Sequence, residues 1–494
     1  MTNVAARAQP HTCRNLIGGQ WRPSSGAMRE LWSPHDGSLI GHVPMSTPSE
    51  VQEAARVAAE AFPAWRALTL KERSVPLFRW RELMLKNLDE LSALAASESG
   101  KTVAEARAGI LKGIEVAEFA LSLQNLDSGG SMDVSQGVTC QIQRRPLGVV
   151  AGITPFNFPA MVPLWMIPIA LTVGNCFILK PSEKVPLTSQ KMGELFIAAG
   201  YPAGVFSIVN GGKETVEALI DCNEVAAVGF VGSTPAARAV YQRATNLGKR
   251  ALALGGAKNP VILVPDADPE FSVQGIVDSF TGCAGQRCMA ASLLIAVGNV
   301  DHVIAAIVKR AQSFKLGKDQ NMGAIIDAAA LTRITEIIGR AEKDGAKIIL
   351  DGRRPTPPQG NSGGHWLAPT IIDHADPSME CATTEIFGPV LTIVRVPDLS
   401  AALAIEALST YGNAVSVFTT SGRVARTVAD QATSGMIGIN IGVPVPREPF
   451  SFGGTKASKF GHGDITGKSS LDFWTHLVKL TSKWSSTAAQ NWMS

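Results

Sequence analysis

The sequence predicts an α/β protein built on parallel, doubly wound sheets, and three observations carry that expectation. Short apolar runs rich in Val, Ile and Ala alternate with segments whose apolar residues recur at i, i+3, i+4 and i+7, first over residues 148–257 and again from 258 to 440. The runs are apolar throughout, as strands buried on both faces are. The chain of 494 residues is also too long for one ordinary core, so two or three domains are expected.

Taken in order, residues 48–126 read as helices. "SEVQEAARVAAEAFPAWRAL" and "KERSVPLFRWRELMLKNLDELSALAASESGK" keep their apolar residues on one face. "DSGGSMDVSQGVTCQIQRRPLGVV" (127–150) brings turn residues and then short alternating pieces, which predicts a hairpin. The first alternating series follows. "GVVAGITP", "CFILKPS", "GVFSIVNG", "VAAVGFVGS" and "KRALALGG" read as strands, separated by helices such as "PAMVPLWMIPIALTVG" and "PAARAVYQRATNLG". The second series includes "NPVILVPDAD", "VIAAIVKRAQSF", "LTRITEIIGRAEKDGAKIILDG", "PVLTIVRV" and "SAALAIEALSTYG". A loop rich in Pro and Gly, "GRRPTPPQGNSGGHW" (352–366), interrupts it and should be exposed. "SLDFWTHLVKLTSKW" (470–484) alternates like an edge strand, and an uncovered apolar edge calls for a partner subunit.

Composition excludes several classes. A net charge of +3, with basic residues scattered, gives no footprint for nucleic acid. Seven dispersed cysteines without a CxxC pair fit a reducing compartment, and the eight histidines form no HxH, HxxxH or HExxH pattern, so no metal site is expected. No apolar run reaches the roughly 18–20 residues that span a bilayer; "MVPLWMIPIALTVGNCFIL" is broken by Pro163, Pro168 and Gly174. The N-terminus lacks an apolar secretory core, so the cytoplasm is the default, with a short organellar leader carrying Arg7 and Arg14 left open.

The chemistry-bearing candidates sit where strands end. In "GCAGQRCMA" (282–290), Cys288 stands among small residues with Arg287 beside it, a setting that favours thiolate over thiol; the alternative is a small buried hydrophobe, as expected for Cys283. "ITPFNFP" (153–159) places Asn157 at the carboxyl end of a strand, either as a turn residue or as an amide donating to a developing oxyanion. "ILKPSE" puts Lys180 and Glu183 at the same sheet edge. "GFVGSTPAAR" places Gly232 and Ser233 at a helix start suited to phosphate, and "TTEIFGPV" holds Glu385 in a short turn.

"PFNFP", "LKPSE", "FVGST", the "GQRC" cysteine and "EIFGPV", in this order and spacing, make the chain resemble the aldehyde dehydrogenase superfamily over nearly its whole length. More narrowly, "GAKNP", "GQRCMA", "GINIGVPVP" and "PFSF" resemble its CoA-acylating branch, the methylmalonate-semialdehyde dehydrogenases. The resemblance implies an NAD-binding domain (1–127 and 148–257), a catalytic domain (258–454) and a β flap for oligomerisation (128–147 and 455–494), assembled as a homodimer or homotetramer. It matches Cys288 to the nucleophile and Asn157 to the oxyanion donor. Lys180 and Glu183 match residues that hold the adenosine ribose, Ser233 the pyrophosphate contact and Glu385 the nicotinamide-ribose contact. Thr154, Phe156, Lys184, Gly232, Gly255 and Phe387 complete the implied NAD-binding set, and Arg287, Lys112 and Phe450 the implied substrate contacts. Glu183 at the ribose position favours NAD, since a carboxylate repels a 2′-phosphate.

At the family's spacing from the nucleophile, the water-activating glutamate of hydrolytic relatives is replaced by Leu254. Leucine takes no proton, so general-base help, typically worth ~10²–10⁴-fold, is absent there. A thiol with a pKa near ~8.5 supplies some thiolate without a strong base. The resemblance therefore implies coenzyme A as acyl acceptor and a thioester on Cys288, with loss of CO₂ from methylmalonate or malonate semialdehyde. The branch usually binds the substrate carboxylate with two arginines. Here Lys112 replaces one, and Pro260 stands where histidine is usual. Another carboxylated or sulfonated aldehyde stays open on that account, as does a hydrolytic enzyme that yields a free acid. A non-catalytic module of the same fold is opposed by the joint presence of Cys288, Asn157, Lys180 and Glu385.

Overall fold

The structure, a computed structural model, describes residues 9–126 and 129–484. Most of the stretch considered as a leader, the first residues of the expected hairpin and the tail beyond 484 lie outside the described residues. The first of two large sheets has eight strands. Five run parallel in the order Arg250–Leu254, Val225–Val231, Val149–Ile153, Cys176–Lys180 and Phe206–Ile208. Antiparallel strands close its edges: Lys459–Phe460 beyond Leu254, and Asn15–Ile17 with Gln20–Arg22 beyond Ile208. Strands Val149–Ile153 and Cys176–Lys180 are buried at every position, as their apolar sequences require up to the terminal Lys180.

Helix Met161–Thr172, which connects them, is buried along its full length, the expected fate of a helix that is apolar all round. Helix Val103–Leu126 approaches it closely through Gly113, where a Cβ would stand 2.6 Å from Leu164. From Val149–Ile153 the chain winds outward through Cys176–Lys180 and Phe206–Ile208. It then crosses to the other side for Val225–Val231 and Arg250–Leu254. The crevice beyond Ile153 and Val231 is therefore a topological switch point, where open α/β sheets take their ligands.

The second sheet orders Lys347–Leu350, Thr370–Asp373, Val390–Val396, Ala291–Val297, Asn259–Leu263, Ala414–Phe418 and Met436–Ile439, all parallel except the first. Apolar cores flank it, formed with helices that include Pro269–Thr281, Asp301–Gln312 and Ala328–Lys343. The 352–366 segment forms neither helix nor strand. Two doubly wound α/β sheets are thus present. Among the described residues no helix is long and apolar enough to cross a membrane.

A third sheet joins segments far apart in the chain. Gly130–Ser135 and Val138–Pro146 form a hairpin, and Thr475–Lys483 pairs antiparallel with its second strand from Thr475↔Pro146 to Lys483↔Val138. Met132, Val134, Ile142, Leu477 and Leu480 are exposed on it.

Two stretches differ from expectation. Residues 470–474 lie in a short helix, Ser469–Trp474, not in the edge strand. Phe473 and Trp474 are adjacent and both buried, Trp474 against Phe177, which a strand solvated on one face cannot achieve. The Arg250 guanidinium gathers the carbonyls of Asp472, Phe473 and Thr475 and secures that turn. Residues 455–460, placed with the flap by the resemblance, pair elsewhere: Thr455–Lys456 with Tyr411–Gly412, and Lys459–Phe460 on the edge of the eight-stranded sheet. The N-terminal region also contributes a small sheet of His11–Thr12, Leu39–Pro44 and Met28–Trp32, too short and polar to show a clear pattern.

Candidate active site

The loop carrying Cys288 begins where helix Pro269–Thr281 stops. Cys283, Ala284 and Gly285 are all left-handed, with φ of 55°, 52° and 67°. That conformation costs a residue with a Cβ ~1–2 kcal/mol, so the turn persists only because its surroundings hold it. Glycine is required at 285, where a Cβ would fall on the carbonyl of Gly388. Glu105, in a capping box with Thr102 at the start of helix Val103–Leu126, accepts the Cys283 N–H at 2.6 Å. The Gln286 side chain donates to the Ala324 carbonyl at 3.1 Å and accepts from the Ile326 N–H at 3.0 Å. The carbonyl of Cys288 itself accepts from the amides of Asn259 at 2.6 Å and Asn413 at 2.9 Å. The backbone beneath the sulfur is therefore fixed from three directions.

Cys288 opens into a cavity of about 650 Å³ at the switch point. Asn157, on the turn after strand Val149–Ile153, donates one amide hydrogen to the Gln286 carbonyl at 3.0 Å, two residues before the cysteine. That bond orients the amide and leaves its second N–H available. Thr154 and Phe156 belong to the same turn and line the same cavity. Next along the sheet edge, Lys180 lies 3.5 Å from Glu183, which also faces Arg29 at 3.7 Å, and Lys184 pairs with Asp327 at 2.6 Å.

Gly232 and Ser233 follow strand Val225–Val231 and precede helix Thr234–Asn246, so backbone N–H groups at its start face the opening. Across from them, Gly255 and Gly256 leave room for Glu385. Its carboxyl accepts the Ala257 N–H at 2.9 Å and occupies the space a Cβ on Gly256 would need. The Phe387 ring meets Phe156 edge-on, 5.8 Å between centroids. The structure thus brings to one cavity both candidates named for catalysis and all ten named for the cofactor.

The substrate nominees do not line it. Arg287 turns its guanidinium back to the carbonyls of Asp278 and Ser279. Lys112 is held by Glu115 at 2.7 Å and Glu448 at 3.4 Å, beside an open concavity formed by Glu115, Phe119, Ser122, Arg447, Glu448 and Pro449. Phe450 is 73% exposed. Leu254 is buried at the end of its strand, immediately before the glycines that face Glu385.

The electrostatics correct one expectation. Burial pushes the Cys288 thiol up to about 12 and the nearby Glu385 adds to this, while Arg287 and Lys101 oppose it. Arg287 therefore acts in the expected direction without prevailing. Burial likewise pushes Glu385 up to about 7 against the Ala257 N–H, Lys258 and Arg333. Lys258 is lowered to about 8 by burial, and its Nζ has no hydrogen-bond partner among the described residues.

Lys258, Asn259, Asn413, Glu105 and Phe158 escaped the sequence reading. For Lys258 and Asn259 a signal existed, since these two polar residues in "GGAKNP" stand at the start of a run that is otherwise apolar through Leu263.

The family model described as aldehyde dehydrogenase family matches residues 21–480. Malonate-semialdehyde dehydrogenase 2 of Geobacillus thermodenitrificans is 40% identical over 479 residues, covering 96% of this chain and 99% of that protein. The malonate-semialdehyde dehydrogenase of Bacillus cytotoxicus is 39% identical over 478 residues, covering 95% and 98%. Among solved structures, the methylmalonate-semialdehyde dehydrogenase of Oceanimonas doudoroffii superposes with a TM-score of 0.95 at 38% identity, covering 96% of this chain and 99% of that one. A Sinorhizobium meliloti protein complexed with NAD, provisionally assigned as a methylmalonate-semialdehyde dehydrogenase, gives 0.96 at 36% identity, covering 98% and 100%.

Proposed function

This chain belongs to the aldehyde dehydrogenase family, and on that premise we propose that it oxidises malonate or methylmalonate semialdehyde with NAD, passes the acyl group to coenzyme A and releases CO₂. The observation that carries the reading is the convergence of Cys288, Asn157 and a cofactor-type lining on one switch-point cavity. Names borne by the relatives support the substrate class, and the NAD complex of the Sinorhizobium meliloti protein supports the cofactor.

The cavity suits a dinucleotide. Lys180 and Glu183 would hold the adenosine ribose, N–H groups around Ser233 the pyrophosphate, and Glu385 the second ribose, with Thr154, Phe156, Lys184, Gly232, Gly255 and Phe387 as walls. Bound NAD supplies the hydride acceptor.

The Cys288 thiol loses its proton and the sulfur adds to the aldehyde carbon. The oxyanion is held by the free N–H of Asn157 and the backbone N–H of Cys288. Oxidation leaves a thioester on Cys288. Buried Leu254 offers water no base, so the thioester persists until the CoA thiolate displaces Cys288. The C–C bond to the carboxylate breaks to release CO₂, its electron pair passes into the neighbouring carbonyl as an enolate, and the carbon then takes a proton from water.

A second reading has an observation of its own. Glu385 opens into the same cavity with its carboxyl pushed up to about 7, so a carboxylate able to activate water is present away from position 254. Under that reading a free acid is the product. The exposed apolar residues of the three-stranded sheet support assembly with further copies of the chain as a dimer or tetramer, and the cytoplasm is the compartment proposed.

NADH formation from both semialdehydes, with and without CoA and with products identified by mass, tests the proposal. Propionyl-CoA or acetyl-CoA formed only with CoA is the expected result. Free acid formed without CoA overturns it in favour of the second reading.

A further inference from the structure

Behind the cavity wall lies a cation that none of the steps above uses. Lys101 follows the left-handed C-cap Gly100 and precedes Thr102, and it is only 3% exposed. Its ammonium sits 3.2 Å from the centroid of the Phe158 ring. Phe158 lines the cavity of Cys288 and also the small pocket that contains Lys101, so one ring separates the two.

Among the described residues no carboxylate lies within ion-pair distance of Lys101. The nearby Glu105 has its oxygens engaged by Thr102 and by the Cys283 N–H. A methionine would fill the same space without burying a charge, so packing alone does not account for an ammonium here. A buried cation facing an aromatic ring is favourable, but its field extends beyond the ring to the nearest site where negative charge forms.

We propose that Lys101 is a positioning residue for Cys288: through Phe158 it places a fixed positive charge behind the sulfur and favours the thiolate and the oxyanion that follows. This rests on reading Cys288 as the nucleophile. The charged and titratable groups acting on both residues can be named. Lys101 is hydrogen-bonded to the Cys283 thiol and faced by Glu105 and Arg287. Cys288 is faced by Arg287 and Lys101, which favour the thiolate, and by Glu385, which opposes it.

The test follows the thiol itself. Lys101→Met, Lys101→Gln and Lys101→Arg are alkylated with iodoacetamide across a pH series, and modification is read by mass on the tryptic peptide beginning at Cys288, which cleavage after Arg287 separates from Cys283. The Met and Gln variants should shift the profile to higher pH, with alkylation at neutral pH ~3–10-fold slower. The Arg variant should restore it, and NAD binding by fluorescence should hold in all three. An unshifted profile in a folded Met or Gln variant overturns the proposal. So does an Arg variant as slow as Met, because packing would then be the cause. If Lys101→Met fails to bind NAD, Lys101→Gln carries the test. Turnover surviving in Cys288→Ala would defeat the nucleophile reading and leave the alkylation result to stand or fall separately.

Discussion

Two concave regions of this molecule carry charged side chains, and they differ in what those charges face. In the cavity of Cys288, Lys180 and Glu183 both line the open space, and N–H groups at the start of helix Thr234–Asn246 border it. A ligand entering there can exchange partners with the pair, and the N-cap residue Ser233 makes no side-chain cap to the N–H groups at this helix start. Beside the open concavity along helix Val103–Leu126, Glu115 and Glu448 both hold Lys112, and elsewhere Arg287 is bonded to the backbone carbonyls of Asp278 and Ser279. The charges are cancelled inside the chain. A cation near a site is therefore weak support for an anionic ligand until its own partners are known.

The comparison breaks most completely if Cys288 is dispensable. Cys288→Ala should reduce NADH formation to background while leaving NAD binding intact by fluorescence, since the sulfur is the only part of the cavity removed. Turnover that survives would show that the built cavity is not where the chemistry occurs. Next in size, Asn157→Ala should lower kcat by ~10²–10³-fold with little change in KM, as loss of one oxyanion donor does. An equal loss of NAD affinity would mean instead that the turn after Ile153 had collapsed. Leu254→Glu should raise the share of free acid several-fold, read by product mass with CoA present. An unchanged partition would mean that exclusion of water protects the thioester.

How much of this was legible follows the same division. "PFNFP", "LKPSE" and "FVGST" each sit at the end of a buried strand, so a local pattern determines where their side chains go, and all meet at the switch point. The pairing of the 130–146 hairpin with Thr475–Lys483 could not be read locally, because each partner is an ordinary strand alone. The same holds for the supports of Cys288. Asn259, Asn413 and Glu105 reach its loop from 29, 125 and 178 residues away, counted between the bonded residues. Arg287 was read correctly for the sign of its effect. The burial that outweighs it depends on walls contributed by distant segments. Residues 470–474 misled because their pattern runs on into that of Thr475–Lys483, whereas burying the adjacent Phe473 and Trp474 together takes a helical turn.

The smallest effect sharpens the comparison most. Glu448 lies 336 residues from Lys112, and its side chain is only 10% exposed, so its charge opposes the ammonium with little screening by water. Glu448→Gln keeps the shape and removes that charge. If the aldehyde's anionic group passes Lys112 on its way to Cys288, KM should fall ~2–5-fold at low ionic strength with kcat unchanged. That is the scale of a partly exposed ion pair, and it should fade as salt is added. Lys112→Met should raise KM by a similar small factor, because the charge it removes was already opposed by two carboxylates. A loss of ~10²-fold or more in Lys112→Met, the cost of truncating one partner of a desolvated charge pair, would contradict this. It would mean that substrate displaces Glu448 and takes Lys112 as its partner, so that the self-neutralised concavity is a closed form of a true anion site.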